Sequence, residues 1–196
     1  MKIYGDIESG NCLKVKWAAD YLGLPYSWVP IDIMKGETRT PAFYAMNPTG
    51  QTPVLETDGK YLGQSNAIIR YLARGSSLLP DDAWTQAKID EWLFWEQYSH
   101  EPNIATSRFH MHYLKKSKES RDLGKVERGE KSLDQMERHL TNHTFLVGAT
   151  PTIADVALLA YTRVAHEGGF DLSTRPHLRA WITRSETALK LPRTGF

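Results

Sequence analysis

Cysteine is nearly missing from this sequence: Cys12 is the only one. A single thiol excludes an intrachain disulfide, and with it the disulfide-framed secreted domains; such usage fits a reducing compartment, so a cytoplasmic location is expected. Charge of one sign is also lacking, because 24 Lys and Arg stand against 23 Asp and Glu for a net charge of +1. That balance gives no broad basic surface for nucleic acid or acidic lipid. No apolar run approaches the length that crosses a bilayer. The opening Met1-Lys2-Ile3-Tyr4-Gly5-Asp6 is not followed by the apolar region of a secretory leader. Repeats and low-complexity tracts are absent as well. What remains is 196 residues, 41% hydrophobic and 24% charged. This is ordinary globular composition, with enough chain for one or two domains and a sizeable core. Six tryptophans give material for an apolar ligand pocket as well as a core.

Along the chain, residues 2–5 read as a short strand and 6–10 as a turn-rich loop. From Asn11 the pattern is helical, with Val15, Ala18, Ala19 and Leu22 on one stripe and Gly23 as the stop. Residues 26–31 read as a second strand; Pro30 cannot donate a ladder hydrogen bond, so this is an edge strand. A polar loop over 35–40 precedes a short helical turn over 41–44. Asp58-Gly59 is a two-residue hairpin signal between runs 54–57 and 60–62. Gln64-Ser65 then opens a helix, with Ser65 as N-cap and Ile68, Tyr71 and Leu72 at helical spacing. The order βαβ then ββα is a thioredoxin-type arrangement.

Beyond residue 75 the composition changes. A linker with Pro80 spans 76–83, and from Trp84 onward nearly all the periodicity is helical. Ile89, Trp92, Leu93 and Glu96 share a stripe, and Pro102 is expected to end or kink that helix. A charged amphipathic helix covers 123–140. Thr152 and Asp155 form a capping-box variant. The helix after it carries Ala157, Ala160, Tyr161 and Val164 on one side and Val156, Leu158 and Leu159 on the others, the mark of a buried central helix. Pro176 starts the last helix. The expected fold is an α/β thioredoxin-like N-terminal domain over 1–75 and an all-α C-terminal domain over 84–196.

Two binding devices lie close together in the first of these. Gly50-Gln51-Thr52-Pro53-Val54-Leu55 offers an extended backbone ahead of a proline, whose amide and carbonyl can pair with a peptide-like ligand. The helix opening at Ser65 offers free N–H groups, which favour a carboxylate. A small peptide with an amino-acid head suits both.

Asn47-Pro48-x-Gly50-Gln51-Thr52-Pro53-Val54-Leu55, followed by Gln64-Ser65-Asn66-Ala67-Ile68, resembles the glutathione-binding half of the cytosolic glutathione transferases. The all-helical second half is similar to theirs too, so the resemblance covers nearly the whole chain. It implies a cis-proline loop at Thr52-Pro53 and a Gln64-Ser65 pair that grips the γ-glutamyl group, Ser65 its carboxylate and Gln64 its ammonium. It implies Gln51 and Lys35 at the glycine carboxylate, and Thr52 pairing its backbone with the cysteinyl residue. Glutathione would be a co-substrate, a small hydrophobic electrophile its partner in the reaction, and the protein a homodimer with no metal.

The ligand thiol must ionise. A free cysteine thiol has a pKa of about 8.5, so making it mostly thiolate at neutral pH takes a shift of roughly two units, about 2.7 kcal/mol. One charge-assisted hydrogen bond, on the order of 1.5–3 kcal/mol, and a nearby helix N-terminus, about 0.3–1 kcal/mol, supply it. The donor is expected in the loop between the first strand and first helix, which lies beside the proline loop in a thioredoxin fold. Ser9 matches the family's serine-type members. Ser9-x-Asn11-x-x-Lys14-Val15 is similar to the nu-class bacterial members, which are also disulfide reductases. Cys12 would be the nucleophile of a cysteine-type member, and Tyr4 the donor of a tyrosine-type one. Ser9 and Asn11 rank together, ahead of Cys12 and then Tyr4. By themselves Ser9 and Asn11 are also ordinary turn residues, and Ser65 an ordinary cap.

Trp95, Tyr98, Phe109 and Tyr113 are candidate walls for the second substrate in a pocket between the domains, although aromatics at helical spacing are more often core. His110-x-His112 diverges on a helix and has no third ligand, so a solvated face is expected there rather than a metal site. Lys115, Lys116 and Lys118 read as a solvated segment. The expected activity is attack of a glutathione thiolate on an electrophilic or peroxidic substrate. Glutathione-dependent disulfide reduction and a non-catalytic scaffold role are the rivals.

Overall fold

Strand β1 (Lys2–Gly5) is an inner strand of a four-stranded sheet in the order β2-β1-β3-β4. It pairs in parallel with β2 (Ser27–Pro30) and antiparallel with β3 (Val54–Thr57), which pairs antiparallel with β4 (Lys60–Leu62). This computed structural model describes residues 1–195. The chain divides into two compact units, Met1–Leu79 and Pro80–Phe196.

In the first unit the edge position of β2 agrees with Pro30, which stands at the end of the ladder opposite Gly5. Helix α1 (Gly10–Tyr21) crosses over to β2, and Gly23, at φ +64°, follows its last turn as the expected stop. A 3-10 turn (Glu37–Arg39) forms inside the stretch expected to be loop, and α2 (Pro41–Met46) follows with Thr40 accepting a hydrogen bond from the Phe43 amide at 3.2 Å. The hairpin of β3 and β4 turns at Asp58-Gly59, both at positive φ, as an Asp-Gly turn requires.

Helix α3 (Ser65–Leu72) departs from expectation at its start. Ser65 is the first helical residue rather than the cap; Gln64 holds the cap position, without a side-chain capping bond. Tyr71 is exposed, and Ile69 takes the buried place beside Ile68 and Leu72. Helices α1 and α3 pack against each other. Ile3, Val15, Ala18, Ala19, Phe43, Val54, Leu55, Ile68 and Ile69 are closed from solvent around them.

The second unit is helical. Asp82 caps α4 (Ala83–Trp95) by accepting from the Thr85 amide at 2.7 Å. Pro102 does not stop the chain's helical course. A π-turn (Glu96–His100) widens the backbone just ahead of it, and α5 (Glu101–Arg108) continues with Pro102 in its first turn, where a missing N–H costs least. A second π-turn (Phe109–Tyr113) follows. Helix α6 (Leu123–Leu140) has the expected bounds. Helix α7 (Ile153–Thr162) is buried at every position and packs against α4, α5 and α8 (Pro176–Ala188). The capping box is present, and Asp155 does more than cap. Its carboxylate accepts from the Leu146 amide, the Thr152 amide and the Trp181 indole, all at 2.9 Å, and from the Thr152 hydroxyl at 3.2 Å. Burial pushes its carboxyl upward, and those four donors pull against that rise. Among the described residues, no helix is long and apolar enough to cross a membrane.

Candidate active site

The loop after β1 turns on Asp6. Its carboxylate accepts from the Glu8 amide at 2.8 Å, and its carbonyl accepts from the Ser9 amide at 3.1 Å. This places Ser9 ahead of α1, at the cap position, with no side-chain capping bond to the helix backbone. Cys12 faces inward one turn later and is wholly buried against Gly5 of β1. A Cβ placed on Gly5 would lie 3.1 Å from its sulfur. Burial pushes the Cys12 thiol up, while hydrogen bonds from the Thr52 and Ser9 side chains pull it down. The sulfur is therefore an inert core atom. It also marks the point where Ser9 and the loop carrying Thr52 meet.

Asn47 shapes that second loop. It is buried, donates from its amide to the Gln51 carbonyl at 2.7 Å, and accepts from the Thr49 amide and hydroxyl at 3.2 and 3.0 Å. Gly50, at φ +62°, lets the chain turn under Arg39 and Tyr44, each 2.8 Å from where a Cβ would sit. The Thr52–Pro53 peptide is cis, as the resemblance implies. Gln51 is exposed, Thr52 half-buried and Pro53 buried.

Gln64, at φ +66° and ψ +110°, has a backbone conformation that side-chain-bearing residues rarely adopt. Such a residue directly before a helix N-terminus points to function rather than to folding alone. Ser65 beside it is buried, and its hydroxyl donates to Asn11 Oδ1 at 3.1 Å. The same oxygen accepts from Lys14 Nζ at 2.8 Å. The thiol-activating candidates on α1, the proline loop and the start of α3 are thus joined through Ser9, Cys12 and Thr52 on one side and Asn11 and Ser65 on the other.

Other sequence candidates lie elsewhere. The Tyr4 hydroxyl donates to Glu56 at 2.5 Å across the sheet, and that bond pushes its pKa up to about 12. Tyr4 is a poor proton donor to a thiol and sits apart from the network. Lys35 pairs with Asp32 at 3.0 Å with its side chain 76% exposed. Of the aromatic candidates, Trp95 and Tyr98 line one hollow of about 220 Å³ together with Asn103, Arg128 and Gln135. Phe109 and Tyr113 form a separate stacked pair with centroids 5.2 Å apart. His110 and His112 are half-buried rather than solvated: His110 Nε2 meets the Ser120 hydroxyl at 2.8 Å, and His112 Nδ1 lies 3.3 Å from Glu167. No group of three or more His, Cys, Asp or Glu among the described residues could hold a metal ion. Lys115, Lys116 and Lys118 are exposed as expected.

Sequence reasoning gave no role to Asn47, Arg39 or Lys14. An Asn-Pro pair ahead of the proline loop was the visible signal for Asn47. Arg39 had none, because its approach to Gly50 depends on how two loops fold together.

Residues 1–74 match the family model "Glutathione S-transferase, N-terminal domain", and residues 94–187 match "Glutathione S-transferase, C-terminal domain". Glutathione S-transferase 3 of Zea mays is 34% identical over 193 residues, covering 92% of this chain and 86% of its own. A glutathione S-transferase crystal structure from Pseudomonas fluorescens superposes with a TM-score of 0.94 at 47% identity, covering 98% of this chain and 97% of its own. A possible glutathione S-transferase from Rhodopseudomonas palustris gives 0.93 at 42% identity, with 98% and 96% covered.

Proposed function

Because the chain belongs to the glutathione S-transferase family, we propose that it is an enzyme that holds reduced glutathione at Thr52, Gln64 and Ser65 and ionises the ligand's thiol beside Asn11 and Ser9. The observation that carries this reading is the hydrogen bond between Ser65 and Asn11. It supports the reading because it joins the start of α3 to the first turn of α1, a span that one small peptide can bridge.

The γ-glutamyl carboxylate meets the Ser65 hydroxyl and the N–H groups at the start of α3, where the helix dipole favours an anion. The Thr52 backbone pairs with the cysteinyl residue, and Gln51 serves the glycine carboxylate. Lys35 reaches that carboxylate only by leaving Asp32. Donors from Asn11 and Ser9 stabilise the thiolate, and the thiol proton passes to solvent. The sulfur then forms a bond to an electrophilic carbon of a small apolar substrate, and the leaving group departs with its electron pair. Positioning and thiolate stabilisation supply the rate, without a covalent enzyme intermediate.

A homodimer is the expected assembly. Trp84, Phe94 and Tyr98 on or just after α4 are each at least 75% exposed, and a second copy of the chain is the partner that would cover them. A cytoplasmic location fits the single buried thiol.

Calorimetric titration with reduced glutathione, followed by thiolate absorbance of the bound ligand, tests the reading. Saturable binding at one site per chain with a thiol ionised near neutral pH is expected. No binding would sink it. Turnover of a small model disulfide in preference to an aryl halide would replace conjugation with disulfide reduction at the same site.

A further inference from the structure

Lys14 lies on α1 and is fully closed from solvent, which is rare for a lysine. Its ammonium is 2.8 Å from Asn11 Oδ1, one helical turn back. We propose that Lys14 is a positioning residue that fixes which edge of the Asn11 amide faces the ligand thiol. The inference rests on the reading that Asn11 helps to stabilise the thiolate.

An asparagine amide has two edges of nearly the same shape and opposite polarity, an acceptor oxygen and a donor nitrogen. Left to itself the group can present either one. A lysine ammonium carries three donors and no acceptor, so only the oxygen can face it. The Ser65 hydroxyl, 3.1 Å from the same oxygen, adds a second donor. With Oδ1 held from two sides, Nδ2 is turned away from Lys14, and that edge can only donate. A thiolate needs a donor; the opposite edge would set an oxygen lone pair against a sulfur anion. The nearby cation also polarises the amide, which strengthens its N–H groups as donors.

The two donors on Oδ1 have different duties. When the γ-glutamyl carboxylate arrives, the Ser65 proton turns toward it and leaves Asn11. Lys14 keeps its hold on the amide oxygen at the moment when a flip would cost the thiolate its partner. A residue that takes no part in glutathione contact thus decides whether Asn11 can act.

The test is an absorbance titration of bound glutathione thiolate in the parent, Lys14→Met, Asn11→Ala and the double variant, with kcat and KM across pH. For Lys14→Met the thiolate-to-thiol ratio of bound glutathione at neutral pH should fall about ten-fold, as a one-unit rise in thiol pKa requires. kcat should fall with it and recover at alkaline pH, while KM for glutathione stays near the parental value. Lys14→Arg, which keeps a donor-only cation, should retain most of the thiolate. In the Asn11→Ala background the lysine substitution should add little, because Lys14 acts through the amide. Additive effects, or no change of thiolate in Lys14→Met, overturn the proposal. A response to Asn11→Ala without one to Lys14→Met overturns only this inference. No response to Asn11→Ala removes the Asn11 reading and this inference together. If Lys14→Met does not fold, Lys14→Gln replaces it: an amide there can donate or accept, so a partial loss of thiolate is expected, and parental thiolate overturns the proposal.

Discussion

The Ser65 hydroxyl donates to Asn11 Oδ1 across 54 residues of sequence, joining the start of α3 to the first turn of α1. An oxygen that also faces a lysine has to accept, so the serine proton points at Asn11 until an anion draws it away.

Ser65→Ala removes the hydroxyl that meets the ligand carboxylate. Glutathione binding should weaken by about 1–3 kcal/mol, the usual effect of losing a hydrogen bond to a charged group. Calorimetry reads this directly, and an unchanged Kd would rule out the proposed placement of the γ-glutamyl group.

Gly5→Ala should loosen the site from behind. The added Cβ would lie 2.8 Å from the Trp28 ring and 3.0 Å from Cys12 Cβ, so side chains must move. Overpacking of this kind costs about 1–3 kcal/mol. The shift of Cys12 reaches Ser9 and Thr52, so thermal stability and glutathione affinity should fall together. Parental values for both would show that the space behind β1 yields freely.

Tyr4→Phe should leave kcat/KM unchanged, because the hydroxyl serves Glu56 and not the thiol. Its effect lies in stability, with a defined pH window. Folding raises the tyrosine pKa from 10.0 to about 12. The contribution is therefore complete below the unfolded value and is lost as pH climbs through the folded one. The stability gap between parent and variant should be steady from neutral pH up to that window and close within it; it should also shrink at acid pH, where Glu56, whose carboxyl the Tyr4 bond holds below its ordinary value, becomes protonated. Denaturant melts across alkaline pH check this, and a gap that widens there contradicts the reading.

Asp155→Asn replaces an acceptor of four donors by a group with donors of its own. At least one of Leu146 N, Thr152 N, Thr152 Oγ1 and Trp181 Nε1 loses its partner in a buried setting. An orphaned buried group and a damaged cap together cost about 3 kcal/mol, a fall in Tm of roughly 6–12 °C for a chain of this size. Glutathione binding by the other unit should persist in the folded variant. A variant as stable as the parent would mean that the hydrogen bonds to Asp155 contribute little.

The elements most legible in the sequence were those whose signals are local. The Asp-Gly hairpin, the Thr152–Asp155 capping box and the amphipathic pattern of α6 each depend on residues a few places apart. The proline loop and Gln64-Ser65 were legible because their order in the chain resembles a known family. The positive φ of Gln64 was not, since glutamine gives no sign of it and the surrounding fold imposes it. Lys14 was unreadable as a buried residue, because a lysine on a helix ordinarily faces water and its partner's orientation depends on Ser65, far along the chain. The π-turn ahead of Pro102 was hidden for a similar reason: proline announces a lost hydrogen bond, not how the backbone accommodates it. The aromatic candidates divided into two places because helical spacing does not say which stripe meets a ligand.

Cys12, shut behind Gly5, also makes the chain its own stopwatch. A thiol reagent in solution has one sulfur to find, and it can reach that sulfur only while the N-terminal unit is open. The speed of labelling then counts openings. A molecule that occupies the closed form alone slows the count by a factor set by its concentration over its Kd. Ligands can thus be ranked by how long they delay a single chemical event, with no dye, tag or turnover assay attached.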